Sequence, residues 1–339
     1  MRLKEELEYV YQGIKLLTNV YRHKLSVIHL FVTNRCNSRC KICHIWAKQP
    51  KYDLPVHIIR NVLVDKSVSR YTFFTLGGGE FFLHPYYEKI LELFTLYNRR
   101  FLLLTNGILS KKIIDAVRKF KIKHLYLSLD GRRETYKRVR GVDAYDNVVE
   151  VIDALHNETE ILVAYCINPW NSYEDMLHVK ELCDKKKVKF EVGLYVNPEY
   201  FETQLFGKYT YPEKLLPKDQ KFAKLHNYWA NSELKLPCWN IRTQVTIIPN
   251  CDVYLCQQKS VILGNLMHKS LSEIWNSPKT VETHKRYFTC NDCWLGCQRP
   301  FDVKIAYSLA KILPETLLNK MFGKYSWKKL IELLQDHGT

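Results

Sequence analysis

Cys36, Cys40 and Cys43 fall within eight residues of one another, in the stretch FVTNRCNSRCKICHIW at positions 31–46. A structural zinc site usually closes with four ligands, and a disulfide uses two. Three thiolates at this spacing can hold a metal group and leave one coordination position open to a small molecule. Soft ligands of that kind suit an iron–sulfur cluster. A second group follows about two hundred residues later: Cys238, Cys251 and Cys256, then Cys290, Cys293 and Cys297 in CNDCWLGC. A hairpin-like segment and a C-x2-C pair can together supply a soft tetrahedral site there, for zinc or for iron–sulfur. Cys166 and Cys183 stand apart and read as small buried apolar side chains.

The segments that carry these cysteines alternate between strand and helix. Six strand-like runs, 26–32, 71–76, 101–105, 122–129, 161–168 and 188–196, are apolar over most of their length, as parallel strands covered on both faces are. Helical segments fill 86–97, 110–119, 144–156 and 172–186. The pattern predicts an α/β fold with a parallel sheet. Six units over about 170 residues suit a partial (β/α)6 TIM-like barrel. The first cysteines directly follow the first strand, and in such folds the loops leaving the carboxyl ends of strands build the active site.

The same reading divides the chain. Residues 1–25 form an N-terminal helix with Leu3, Leu7, Val10, Ile14, Leu17 and Tyr21 on one face. Residues 26–200 form the barrel, 201–237 a connection, and 238–300 a small cysteine-rich domain with a hairpin in IIPNCDVYLC and a short helix in SLSEIW. Residues 301–339 form a helical tail, broken near Pro314. The tail is apolar and lysine-flecked. It is expected to pack on the barrel, with peripheral contact to an anionic membrane as the alternative.

The formal charge is +16 and the sequence pI about 9.2, which favours acidic partners. Thiolates on a metal reduce that surplus. No secretory signal precedes the first strand and no apolar run is long enough to span a bilayer. Eleven cysteines without an export signal point to a cytoplasmic chain that binds metal through reduced thiols. A basic zinc module on nucleic acid is a competing class, but the open three-cysteine site at a strand end does not fit it.

With Ile42 as the apolar position, C-x3-C-x-φ-C resembles the signature of radical S-adenosylmethionine (SAM) enzymes. The resemblance continues in order at the strand ends: GGGE at Gly77–Glu80, TNG at Thr105–Gly107, SLDG at Ser128–Gly131, RVRG with Arg140, and INPWN at Ile167–Asn171. It implies that Cys36, Cys40 and Cys43 hold a [4Fe–4S] cluster whose fourth iron chelates the amino and carboxylate groups of SAM. It implies that Gly78, Gly79 and Glu80 meet the methionyl ammonium and that Asn106 is a further cofactor contact. Ser128 and Asp130 would bond a ribose or polar substrate, Arg140 would pair with the SAM carboxylate, and Ile42 and Asn168 would lie near adenine. Glycines permit close backbone approach, and a carboxylate complements an ammonium. Trp46 would cover the cluster, with His44 a bystander.

The second cysteine group resembles the SPASM extension of these enzymes, and more closely its single-cluster Twitch form. Full SPASM domains begin C-x(9–15)-G-x4-C, and Cys251 stands here in place of that glycine. The implied ligands of one auxiliary [4Fe–4S] cluster are Cys238, Cys256, Cys290 and Cys293, with Cys297 or Cys251 as alternates; structural zinc is the other option. The implied activity is that of a radical SAM oxidoreductase or modifying enzyme. It would cleave SAM reductively to a 5′-deoxyadenosyl radical and take hydrogen from a substrate, with electrons from a ferredoxin or flavodoxin. The auxiliary cluster would accept an electron. About 25 residues precede the first strand, too few for a leader-binding domain. A small molecule, sugar or lipid head group is therefore expected over a ribosomal peptide. The competing readings are a peptide or protein maturase with a separate recognition protein, and a non-catalytic zinc or iron–sulfur scaffold.

Overall fold

The computed structural model describes residues 23–195, 199–201, 217–294, 299–322 and 326–335. The N-terminal helix expected over 1–25 falls outside them except for its last residues, and Cys297 lies outside them too. Six parallel strands form the core: β1 (Leu25–Thr33), β2 (Val68–Gly78), β3 (Arg100–Thr105), β4 (His124–Ser128), β5 (Glu160–Ile167) and β6 (Lys189–Leu194). Helices α1 (Val56–Leu63), α2 (Tyr87–Leu96), α3 (Ser110–Phe120), α4 (Arg133–Arg140), α5 (Tyr145–Leu155) and α6 (Tyr173–Lys186) cover the outer face. This is the partial barrel expected from the strand–helix alternation.

Side-chain parity divides each strand into two faces. Ile28, Leu30, Phe74, Leu76, Leu103, Leu125, Leu127, Ile161 and Val163 have at most 2% exposure and pack under the helices. The alternate residues point into the barrel. The helices α1 and α4 were not expected from the sequence. Helix α1 is short and starts at a proline with no side-chain cap. Helix α4, RETYKRVR, buries only Thr135, Tyr136 and Val139 among charged neighbours, so its apolar face is too sparse to read as periodic.

The C-terminal unit does not form a separate sheet. Strand β7 (Gln244–Ile247) pairs parallel with β1, and β8 (Asp252–Tyr254) and β9 (Ile262–Asn265) follow antiparallel. The result is one nine-stranded sheet in the order β6-β5-β4-β3-β2-β1-β7-β8-β9. The expected hairpin is β7–β8, and the expected short helix is α8 (Leu271–Trp275), which follows a helix α7 (Pro217–Ala230) inside the stretch read as a connection. Helix α9 (Pro278–Arg286) leads to the second cysteine pair. The tail folds into α10 (Arg299–Ile312), α11 (Glu315–Phe322) and α12 (Ser326–Gln335). It does pack, but its core is shared with α7, Leu234, Leu236 and Trp294 rather than with the barrel.

Candidate functional site

The first cysteine loop leaves β1 at its carboxyl end and is pinned at both flanks. Thr33 Oγ1 donates to Asp53 Oδ1 at 2.6 Å, and Arg35 pairs with Asp53 at 2.9 Å. Asn34 Nδ2 donates to the Pro50 carbonyl and Asn34 Oδ1 accepts from the Tyr52 amide. The middle of the loop rests on the end of α4. Arg39 N and Ser38 Oγ donate to the Arg140 carbonyl at 3.0 and 2.8 Å, and Lys41 N donates to the Val139 carbonyl at 2.9 Å. The loop thus satisfies carbonyls that the helix end leaves orphaned. Gly141 follows in left-handed conformation (φ 67°), where an added Cβ would lie 2.6 Å from the Arg39 carbonyl oxygen.

Cys36, Cys40 and Cys43 all line one cavity of about 420 Å³ at the mouth of the barrel. The cavity is built by strand parity. Each strand contributes an alternate pair, from His29 and Phe31 on β1 to Glu191 and Gly193 on β6. Its wall is mostly apolar with a few polar groups, and its size suits one small ligand. Burial, reinforced by the neighbouring thiols, pushes Cys36 up to about 11 and Cys43 up to about 12.

Ionising these thiols alone is therefore costly, and a cation-rich group that takes all three thiolates removes the cost. Ser38 Oγ lies 3.1 Å from Cys40 Sγ, Arg140 Nη1 donates toward the same sulfur at 3.7 Å, and Asn106 Nδ2 donates toward Cys36 Sγ at 3.9 Å. The Arg140 and Asn106 donors beside the sulfurs are what a thiolate-ligated cluster requires. Among the described residues, no three His, Cys, Asp or Glu side chains gather as ligands of a single ion do. A cluster takes thiolates on different irons, so its ligands line a recess instead of meeting at one atom. The donor set fits a cluster with an open iron.

The remaining residues expected from the sequence divide between wall and frame. Ile42, Gly78, Gly79, Asn106, Ser128 and Arg140 line the cavity. Glu80 does not. Its side chain is fully buried, and its carboxylate accepts from Thr105 Oγ1 at 2.8 Å, Asn106 N at 2.8 Å and Phe82 N at 3.3 Å. Burial raises it to about 7 despite those bonds. It braces the GGGE turn against TNG.

Asp130 is also fully buried. It accepts from the Cys166 amide at 3.0 Å and pairs with Arg140 Nη2 at 2.5 Å. Arg140 thus bridges Asp130 and the Cys40 sulfur. Asn168 turns toward its own loop, donating to the Cys166 carbonyl and accepting from Trp170 N. Trp46 Nε1 donates to the Cys40 carbonyl at 3.4 Å. Cys183 is fully buried as expected, but Cys166 is half-buried and lines the cavity, because its position on β5 has inward parity.

His29 lies at the inner end of the cavity with its ring between Thr75 Oγ1 (2.8 Å) and Gln244 Oε1 (3.2 Å). Burial lowers it to about 4. A depressed histidine contributes stability that is present above its unfolded pKa and lost as pH falls toward the folded one. Between pH 7 and pH 5 the wild type should lose roughly 2 kcal/mol more than His29→Gln in urea unfolding. Parallel losses in the two proteins would show that His29 is not held neutral.

The second thiol set is brought together by the chain between β7 and α10. Cys238 N donates to the Cys290 carbonyl at 2.8 Å. Cys238 and Cys293 are electrostatic neighbours, as are Cys256 and Cys290, and Lys259 N donates to Cys256 Sγ at 3.3 Å. Cys251 has a different place. It is 3% exposed in the main core, its electrostatic neighbour is Asp252, and it occupies the left-handed region at φ 71°. That backbone is the one a glycine would adopt most easily, which accounts for the glycine of the pattern it replaces.

One feature of this region was not anticipated from the sequence. Arg299 is 1% exposed and donates to the Cys293 carbonyl through Nε (2.9 Å) and Nη2 (2.6 Å), to the Leu236 carbonyl through Nη1 (2.6 Å), and to Asn291 Oδ1 at 3.3 Å. It pairs at 3.0 Å with the fully buried Asp302, which accepts from Trp239 N at 2.8 Å and Asn240 Nδ2 at 3.3 Å. The pair ties the Cys238 segment to the Cys293 segment. The only signal in the sequence is two charges three apart, RPFD, at the start of an otherwise apolar helix.

Comparison with known proteins matches two stretches of the chain. A family model described as the Radical SAM superfamily matches residues 30–197, and one described as an iron–sulfur cluster-binding domain, SPASM, matches 238–294. Among curated proteins, the chain is 24% identical over 215 residues to a probable GTP 3′,8-cyclase of Thermococcus kodakarensis, covering 62% of this chain and 69% of that protein. It is 26% identical over 180 residues to an S-adenosyl-L-methionine-dependent tRNA 4-demethylwyosine synthase of Methanocaldococcus jannaschii, covering 51% and 54%.

Among solved structures, Streptococcus suis SuiB bound to S-adenosylmethionine superposes with a TM-score of 0.63 at 15% identity, over 79% of this chain and 71% of that one. Native anSMEcpe with bound AdoMet gives a TM-score of 0.56 at 17% identity, over 93% and 100%. These likenesses establish the fold.

Proposed function

This chain belongs to the radical SAM superfamily and carries a SPASM-type iron–sulfur domain, with SAM and [4Fe–4S] clusters as cofactors; from that premise we propose that it is a hydrogen-abstracting oxidoreductase or modifying enzyme with one auxiliary cluster. The observation that supports it is the convergence of Cys36, Cys40 and Cys43 on one barrel cavity, with Arg140 and Asn106 donating toward their sulfurs. When bound, the cluster and SAM would supply the reductive, hydrogen-abstracting chemistry.

The chain's own residues bind, orient and exclude water. Cys36, Cys40 and Cys43 hold the first cluster. Gly78 and Gly79 let the end of β2 approach the loop, and Asn106, Ser128 and Ile42 form the wall against which SAM lies. Arg140 steadies the Cys40 thiolate while Asp130 holds Arg140, and Glu80 keeps the GGGE and TNG turns in register. Cys238, Cys256, Cys290 and Cys293 hold the auxiliary cluster, whose full thiolate ligation suits electron transfer rather than substrate binding.

The substrate we infer is a compact polar molecule. The cavity of about 420 Å³ must admit SAM as well as substrate, which keeps the substrate small, and away from the thiols its apolar wall carries polar groups that include His29, Thr75 and Glu191. Iron and sulfide content test the assignment. Anaerobically reconstituted protein should carry about eight irons, and the Cys36/Cys40/Cys43→Ala variant about four. An unchanged count in the variant would remove the first site from the assignment.

A further inference from the structure

The end of the barrel opposite the cysteine loops carries an unbalanced charge. In a parallel sheet every helix-to-strand connection lies at the amino-terminal rim. Here those connections and the strand starts beside them supply Lys66, Arg70, Arg100, Lys121, Lys123 and Lys187, all exposed. The rim's carboxylates are already occupied. Glu158 pairs with Arg118, Glu160 with Lys189, and Asp65 accepts from the Ser67 and Ser272 amides. None of the six cations has a carboxylate partner among the described residues.

Apolar side chains stand among them. Val64 is 53% exposed at the end of α1, Leu96 73% exposed at the end of α2, and Tyr71 47% exposed. Tyr71 and Arg70 are pushed outward by an irregularity at the start of β2, where the pairing with β1 jumps from Leu25↔Val68 to Val27↔Phe73. Lys121 and Lys187 are both left-handed, at φ 50° and 55°, where glycine is the easier residue. Lysine at both positions carries a backbone cost.

We propose that this rim seats the protein on an anionic phospholipid bilayer. The uncompensated cations meet lipid phosphates, and Val64, Tyr71 and Leu96 enter the boundary between head groups and acyl chains. Exposed aliphatic side chains on an open face favour this partner over nucleic acid, which would use base-stacking platforms and a groove. The seat has an orienting consequence. Strand β1 runs from Leu25 at the rim to Thr33 at the cysteine loop, roughly 25 Å away. The mouth of the barrel therefore faces the aqueous phase, and substrate and reductant reach it from that side.

Co-sedimentation of the intact protein with vesicles tests the seat. Vesicles of phosphatidylcholine with phosphatidylglycerol should bind it at low salt, pure phosphatidylcholine vesicles should not, and high salt should release it. Lys121→Gly with Lys187→Gly should weaken binding about 25-fold, at about fivefold per cation. These two substitutions relieve a left-handed backbone, so a folding defect would not imitate the loss. Leu96→Ser, which leaves the charge unchanged, should weaken binding about fivefold. Equal binding to neutral vesicles, or undiminished binding by the double glycine variant, would overturn the proposal. So would vesicle binding that Leu96→Ser leaves intact and single-stranded RNA abolishes, which would assign the rim to nucleic acid.

Discussion

Replacing Arg299 by methionine is expected to strip the auxiliary iron from the protein while leaving the first cluster in place. Arg299 is the donor for the Cys293 and Leu236 carbonyls and the counter-ion of Asp302, and both members of the ion pair are buried. Methionine fills most of the volume but donates nothing. Asp302 would then keep a buried charge with the Trp239 amide and the Asn240 donors, but no cation, to stabilise it. Burial already raises its carboxyl to about 6 against the pull of Arg299.

Breaking one partner of such a pair costs about 3–5 kcal/mol, and here the cost falls on the segments that carry Cys238 and Cys293. Iron should drop by about half, with SAM binding retained. Asp302→Asn keeps acceptors for Trp239 and Asn240 and should lose less. Full auxiliary iron in Arg299→Met would show that the ion pair does not hold those segments together.

Gly79→Ala is expected to weaken SAM binding about 100-fold or more, because an ångström-scale displacement at a site has that order of effect. A Cβ at Gly79 would lie 2.1 Å from the Arg35 carbonyl oxygen and 2.7 Å from its carbon. Both are backbone atoms of the cysteine loop, so no side chain can swing aside. The displacement would also pull apart Gly79 N–Thr33 O (2.7 Å) and Glu80 N–Arg35 O (2.8 Å), which join the end of β2 to the loop. Gly77→Ala is the internal control. Its Cβ would meet only the Leu104 side chain, at 3.4 Å, and its effect should be several-fold smaller. Equal losses in both variants would mean that the glycines serve the ligand alone.

The glycine positions illustrate how much of this site was legible in the sequence. Residue type and order identified GGGE, TNG and RVRG, and strand-end placement located them on one face. What the glycines approach was not legible: in the fold it is the backbone of residues 33–35 and 39. Glu80 and Asp130 were read as ligand contacts because carboxylates suit ammonium and ribose. The fold also gives both carboxylates partners within the protein, and only packing determines those.

The six barrel strands were legible because buried parallel strands are nearly continuous apolar runs. The pairing of β7 with β1 was not, since it joins segments more than two hundred residues apart and neither carries a pairing signal. Arg299 and Asp302 belong to no spacing pattern, so only coordinates reveal them.

The central claim is that the open three-thiolate site performs radical SAM chemistry. The most direct test is to reconstitute the protein anaerobically with iron and sulfide, reduce it, add SAM and measure 5′-deoxyadenosine. The wild type should release the nucleoside, and the Cys36/Cys40/Cys43→Ala variant should release none. Absence of 5′-deoxyadenosine from wild-type protein with both clusters loaded and reduced would contradict the account.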